Sequence, residues 1–350
     1  MARHPAKVGP MCLLMPVGRG MNAADERPLR PLLPGRARKP SLPGRARRPP
    51  GPGYCQERAT AKSGLLPRAG YCRGRATAGA GRLPEPGYSR GRATRVGPVT
   101  ARAILVTGAS RGIGAAIAQA FAAQGDRVAV HYRVEEAAAE AVRAGLPPGE
   151  HGGHLTVQGD LADPQAVRRM VDEAADGLGG LDVLVNNAGI YVWHPVTEVS
   201  YEDWQAIWQQ TLDVNLTGAA NATWCAVRHM IPRGGGRIIN VTSRGAFRGE
   251  PRHPAYGASK AGLNAFGQSM ARALAPHGIA VGSVAPGYVE TDMTTEELAS
   301  PRGDVIRGQS PFDRVARPEE IAAAVLYLAS PLAEWASGTV LDLNGASYLR

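Results

Sequence analysis

Tyr256 and Lys260 stand four residues apart in a stretch, 256–275, whose composition predicts a long helix, so the two side chains share one face. A free phenol has a pKa of about 10, too high for efficient proton exchange near neutrality. An ammonium group beside it favours the phenolate, each unit of lowering being worth about 1.4 kcal/mol. Such a pair suits delivery of a proton to a carbonyl oxygen whose carbon receives a hydride. Ser243 ends a predicted strand at 237–241 and is placed to hydrogen-bond the same oxygen.

A hydride donor requires a nucleotide site, and residues 107–114, TGASRGIG, offer one. Gly108 allows a tight turn, Gly112 lets a pyrophosphate approach the backbone, and Gly114 lets helix and strand pack closely. Ser110, Arg111 and Ile113 complete the loop, and the following helix N-terminus supplies free N–H groups to phosphate. The spacing is GxxxGxG rather than GxGxxG, and no Gly-Lys-Ser/Thr follows as in a P-loop. Taken alone, the loop also fits a glycine turn in a sheet without a ligand. The next predicted strand ends Val130-His131-Tyr132-Arg133, without the Asp or Glu that binds ribose hydroxyls in NAD-preferring proteins. Arg133, approached by Arg111 from the loop, is placed to meet a 2′-phosphate, which favours NADP(H) with NAD(H) as the other option. Two solvated surface arginines are the plain alternative. Asp160-Leu161 follows the third strand; its carboxylate suits either an adenine amino group or the opening of a helix.

These residues need a scaffold that gathers loop ends. Strands are predicted at 103–106, 128–131, 155–158, 181–185, 237–241, 280–284 and 339–343. Helices are predicted at 113–123, 135–143, 163–175, 256–275 and 318–329, with two more filling 201–229. Gly125 suits a C-cap, and Asp163-Pro164 an N-cap followed by proline at the first helical position. Alternating strand and helix predicts an α/β fold: a doubly wound, Rossmann-like parallel sheet with helices on both faces.

With these motifs in place, the chain from about 101 to 345 resembles the short-chain dehydrogenase/reductase family. TGASRGIG resembles its cofactor motif, and Asn186-Asn187-Ala188-Gly189 its NNAG motif. Asn215, Ser243, Tyr256 and Lys260 match its catalytic tetrad; Pro286-Gly287, with Thr291 beyond, matches the segment near the nicotinamide amide. The resemblance implies that Asn215 holds a water linking Lys260 to solvent. It also implies a homotetramer or dimer, paired through helices around 206–229 and 256–275 and through the last strand. The pattern is most similar to 3-oxoacyl-carrier-protein reductases. Leu343-Asn344-Gly345 departs from the family's Asp-Gly-Gly, in a region the resemblance assigns to a subunit interface.

Substrate walls are expected from 190–196, 244–255 and 288–313. The first holds Tyr191, Trp193 and His194; the second holds Arg244, Arg248, Arg252 and His253. His194 is expected to be a loop residue rather than a catalyst. The basic residues suit an acidic carrier protein or a phosphorylated substrate, or simply a solvated loop. Two functions thus stand within one chemistry, an NADPH-dependent carbonyl reductase and an NAD-dependent alcohol dehydrogenase.

The rest of the chain differs in kind. Of 350 residues carrying a net charge of +10, the first hundred hold 20 Lys+Arg against 4 Asp+Glu, and 15 of the 28 prolines. The remainder is net acidic. Segment 1–98 repeats GYCQERAT, GYCRGRAT and GYSRGRAT at 17-residue spacing with no apolar stripe to bury, so it reads as low-complexity and disordered ahead of a domain at 99–350. It suits a nucleic-acid-binding tail, a targeting segment, or sequence upstream of the natural start. Only Cys225 of the four cysteines lies in the domain, with no zinc or disulfide pattern, which fits a reducing cytoplasm. No apolar run approaches the roughly 18–20 residues that span a membrane, and no metal site is expected. Expression of 99–350 is expected to give folded, active protein. Loss of folding or activity on truncation, measured by circular dichroism and a reductase assay, would show the segment is required.

Overall fold

A computed structural model describes residues 101–148 and 153–350. Segment 1–98, with the disorder, targeting and nucleic-acid readings that fall on it, lies outside the described residues. Among the described residues, seven strands form one sheet: β1 (Ala103–Val106), β2 (Arg127–Tyr132), β3 (Leu155–Gln158), β4 (Val183–Asn186), β5 (Gly236–Val241), β6 (Ile279–Pro286) and β7 (Val340–Leu343). All pairs are parallel, and the order is β3-β2-β1-β4-β5-β6-β7. The doubly wound α/β expectation is met.

Period-two alternation builds both layers. In β1 every residue is buried, Leu105 on one face and Ile104 and Val106 on the other. The Leu105 face packs on α3 (Pro164–Leu178), α5 (Ala219–Met230) and α7 (Pro254–Leu274) through Met170, Leu178, Met230 and Leu274. The opposite face packs on α1 (Gly112–Ala122), α2 (Glu136–Ala144) and α10 (Pro318–Leu328) through Ile117, Phe121, Ile321 and Val325.

Several boundaries differ from the sequence reading. The helix after Asp163 runs on to Leu178, where Gly179 caps it in the left-handed region at φ 69°. The fourth strand therefore starts two residues late. Asp163 caps as expected, accepting from the Gln165 amide at 2.8 Å. Gly125 takes φ 83° but lies beyond the C-cap, which is Ala123. Region 201–229 holds α4 (Tyr201–Leu212) and α5 joined by a wide π turn, Asp213–Gly218. Three further helices, α6 (Gly245–Arg248), α8 (Asp292–Ala299) and α9 (Gly303–Arg307), were not expected; they are too short to show an apolar period.

Strand order reverses between β1 and β4, and the crevice beyond their carboxyl ends is where such sheets place a ligand. There the strands part, and their last backbone groups need partners. Thr107, 1 % exposed, supplies them: its Oγ1 accepts from the Asn187 and Ala188 amides at 2.9 and 3.1 Å and donates to the Val185 carbonyl at 3.1 Å. Thr107→Val keeps the shape but leaves the Ala188 amide without this partner and the Asn187 amide with only the Val185 carbonyl, so we expect a loss of about 1–2 kcal/mol in urea unfolding, with Thr107→Ser close to the parent.

Candidate active site

The cleft at the switch point has a volume of about 440 Å³. Its floor is the loop between β1 and α1. Gly108 and Gly112 both take positive φ, 63° and 55°. A Cβ on Gly108 would lie 2.8 Å from the Ala188 Cα, and one on Gly112 would lie 3.3 Å from a Thr291 methyl group. Gly114 faces the Gly108 carbonyl and the Asn187 amide so closely that any side chain would displace the loop. Asn187 explains that closeness, since its Nδ2 donates to the carbonyls of Thr107 and Gly108 at 2.9 and 3.0 Å. Its amide nitrogen thus holds the loop, while Ala188 and Gly189 line the cleft beside it. Ser110, Arg111 and Ile113 line the same wall.

At one end lie Arg133, Asp160 and Leu161. Arg111 and Arg133 are exposed, and neither guanidinium has an acidic partner among the described residues. One Asp160 oxygen accepts from the Ala162 amide at 2.9 Å, closing its own turn. Glu135, which the sequence reading passed over, lines this end as well.

At the other end the strands β4, β5 and β6 and helix α7 deliver Gly189, Ser243, Pro286, Gly287, Tyr256 and Lys260, with Thr291 from the turn before α8. Lys260 is buried and donates from Nζ to the Val241 carbonyl at 2.9 Å; its nitrogen lies 5.8 Å from the Tyr256 ring centre. Ser243 Oγ accepts from the Gly245 amide at 2.9 Å. Asn215 sits in the π turn behind the cleft wall rather than in the lining. Its Oδ1 accepts from the Ile190 amide at 2.8 Å, and its Nδ2 donates to the Ile190 carbonyl at 3.0 Å and to Ser259 Oγ at 3.2 Å. A Cβ on Gly189 would stand 3.3 Å from the Asn215 oxygen and 3.4 Å from Lys260 Nζ, so glycine is what allows these groups to converge.

Burial governs the protonation of this corner. It pushes Tyr256 up to about 12, against the effect of the neighbouring Ser243 hydroxyl and with help from the Glu250 carboxylate. Burial also pulls Lys260 down to about 8. The sequence expectation that Lys260 draws Tyr256 below its ordinary value is therefore corrected. Desolvation dominates, only the Ser243 hydroxyl opposes it, and Tyr256 is held as a neutral phenol.

The substrate end departs further from the sequence reading. Of the four basic residues expected there, only Arg244 lines the cleft. Its guanidinium, 3 % exposed, donates to Gln309 Oε1 at 2.9 Å and to the Ser347 hydroxyl. Arg248 leans on the same Gln309 oxygen at 3.1 Å, Arg252 covers Trp193, and His253 stacks on Tyr191 with ring centres 3.6 Å apart. Tyr191 in turn meets Tyr256 edge-on at 4.8 Å. Glu250, not anticipated, brings a carboxylate into the cleft, where burial raises its pKa. His194 is a loop residue, as expected, and it is fully buried, accepting from the Ala255 amide at Nε2 and bonding the Val192 carbonyl from Nδ1. It thereby ties the loop after β4 to the start of α7. Asn344 packs against Gly287 and bonds the Tyr348 backbone, so it shapes the C-terminal turn beside the site. Among the described residues, no cluster of His, Cys, Asp and Glu is arranged to hold a metal, and no helix is long and apolar enough to cross a membrane.

Comparison with known proteins agrees with this arrangement. Residues 102–301 match the short chain dehydrogenase family. The chain is 39 % identical over 252 residues to a 3-oxoacyl-[acyl-carrier-protein] reductase of Synechocystis sp., covering 72 % of this chain and 98 % of that protein. It is 38 % identical over 251 residues to 3beta-hydroxysteroid dehydrogenase 1 of Eggerthella lenta, covering 71 % and 94 %. A crystal structure of a short chain dehydrogenase from Burkholderia cenocepacia in complex with NADP is 36 % identical, with a TM-score of 0.62 over 70 % of this chain and 97 % of that one. With a glycine loop, a switch-point cleft and a half-buried tyrosine beside a buried lysine in one fold, the chain belongs to the short-chain dehydrogenase/reductase family and is an oxidoreductase acting between carbonyl and alcohol with NAD(P).

Proposed function

We propose that this protein is an NADPH-dependent carbonyl reductase, with a 3-oxoacyl thioester as its substrate class. The observation that carries the reading is one continuous cleft. It runs from a glycine loop flanked by two arginines without acidic partners among the described residues to Ser243, Tyr256 and Lys260.

The residues fit a dinucleotide. Gly108 and Gly112 leave backbone open to the cleft, Gly114 is buried where a Cβ would have no room, and α1 begins there with free N–H groups for a pyrophosphate. Arg111 and Arg133 would hold a 2′-phosphate, and Asp160 with Leu161 the adenine. Asn187, Ala188, Gly189, Pro286, Gly287 and Thr291 would border the ribose and nicotinamide. When bound, the nicotinamide supplies the hydride. Tyr256, kept as a phenol by burial, gives its proton to the substrate oxygen while Ser243 donates a hydrogen bond to that oxygen. Lys260, charged below about 8, steadies the phenolate left on Tyr256. Asn215 holds the Ile190 backbone and, through a water, would return a proton by way of Lys260.

The 3-oxoacyl choice is supported by the name of the Synechocystis relative. The basic wall expected to face an acidic carrier is reduced here to Arg244, and Glu250 offsets part of its charge. A second reading, oxidation of an alcohol with NAD, draws on Glu135 at the adenosine end. A homo-oligomer is part of the proposal, supported by Trp335, fully exposed just before β7, and Trp224, 53 % exposed on α5.

Tyr256→Phe is expected to lower kcat by about 10²–10⁴-fold while NADPH still binds, as read by steady-state kinetics and nicotinamide fluorescence. Retention of a tenth of the activity would remove Tyr256 from its role. The parent enzyme is expected to show a higher kcat/KM with NADPH than with NADH, and Arg133→Asp to move the ratio towards NADH by about tenfold or more. A parent that favours NADH would support the second reading.

A further inference from the structure

Beneath the glycine loop lies a histidine that the chemistry above does not use. His131 is on β2, paired in register with Val157 of β3, and its ring is 2 % exposed. Its Nδ1 accepts from the Gly108 amide at 2.9 Å, and its Nε2 meets the Gly159 carbonyl at 3.0 Å. Its own carbonyl accepts from the Ala109 amide at 2.9 Å. The partners fix the tautomer: an amide only donates, so Nδ1 is bare, and a carbonyl only accepts, so Nε2 carries the hydrogen. Burial holds the ring pKa down at about 4, against the Gly159 bond and the Asp160 charge, so the accepting form persists at neutral pH.

The two contacts reach two separate segments of the proposed cofactor site. Gly108 begins the loop that carries Ser110, Arg111 and Gly112; Gly159 immediately precedes Asp160 and Leu161. We propose that His131 is a positioning residue that sets the spacing between the phosphate-binding loop and the adenine-binding turn, so that a dinucleotide meets both at once. The inference rests on the cofactor reading above. An aliphatic residue here would fill the space yet leave the Gly108 N–H and the Gly159 carbonyl without partners.

Three variants of the full chain separate positioning from mere packing. The amide oxygen of asparagine lies as many bonds from Cβ as Nδ1 does, and the terminal amide of glutamine as many as Nε2 does. His131→Asn therefore keeps the contact to Gly108, His131→Gln keeps only the reach to Gly159, and His131→Leu keeps neither. NADPH and NADH are titrated by nicotinamide fluorescence, kcat is taken at saturating NADPH, and Tm is recorded. We expect the NADPH Kd to rise about tenfold in His131→Leu and His131→Gln, and to stay within about threefold of the parent in His131→Asn. In all three, kcat is expected to change less than about threefold, because the Tyr256 end is untouched. NADPH binding by His131→Leu equal to the parent's, equal losses in His131→Asn and His131→Gln, or a fall in kcat with Kd unchanged would overturn the proposal. If His131→Leu does not fold, the asparagine and glutamine variants decide. A parent that binds neither nucleotide would overturn the cofactor reading, and this inference with it, whereas altered variants on a binding parent speak to His131 alone.

Discussion

Where a parallel sheet reverses its winding, the chains leaving β1 and β4 diverge once the Thr107 amide has bonded the Val185 carbonyl, yet they are still partly buried. The amides and carbonyls there need partners beyond those that strand pairing provides. Thr107 answers for Val185, Asn187 and Ala188, and Asn187 answers for Thr107 and Gly108. The glycine loop can stand open to a ligand because its inner face is satisfied by these two side chains and by His131. Glycine at 108 and 114 follows from the same constraint, since the clamp draws Ala188 and Asn187 against the positions a side chain would take.

The corner around Tyr256 and Lys260 shows a second balance. Lys260 is an ammonium group placed in the interior with a carbonyl, rather than a carboxylate, at hydrogen-bonding distance. Burial lowers its pKa and raises that of Tyr256, so both groups are biased towards their neutral forms. In the mechanism we propose, the phenol is thereby kept protonated for donation, and the positive charge beside it gains its value when the proton leaves. The wide turn at Asp213–Gly218 lets Asn215 reach across to Ile190 and Ser259 in place of a regular helical contact.

At the substrate end, side chains that look alike in sequence do different things. Arg244 is buried and braces the turn after Ser243 against Gln309 and the C-terminal Ser347, whereas Arg248 and Arg252 lie outside the cleft. Tyr191, stacked on His253 and edge-on to Tyr256, forms an aromatic wall. Glu250 then makes the charge of this wall mixed rather than basic.

The sequence by itself determined the fold, because buried parallel strands and amphipathic helices each carry their own period. It also determined the members of the site that depend on local geometry: glycines at a strand–helix turn, and a tyrosine and lysine one helical turn apart. Contacts between distant segments were not legible. Nothing local marks His131 as the partner of Gly108 and Gly159, Asn187 as the clamp of the loop, or His194 as the tie between the loop after β4 and α7. Nor could spacing give the sign of the Tyr256 shift, since charge proximity is set by i,i+4 geometry but desolvation is set by everything packed around the pair. Those properties arise only when the sheet closes and water is removed, and tertiary structure alone decides them.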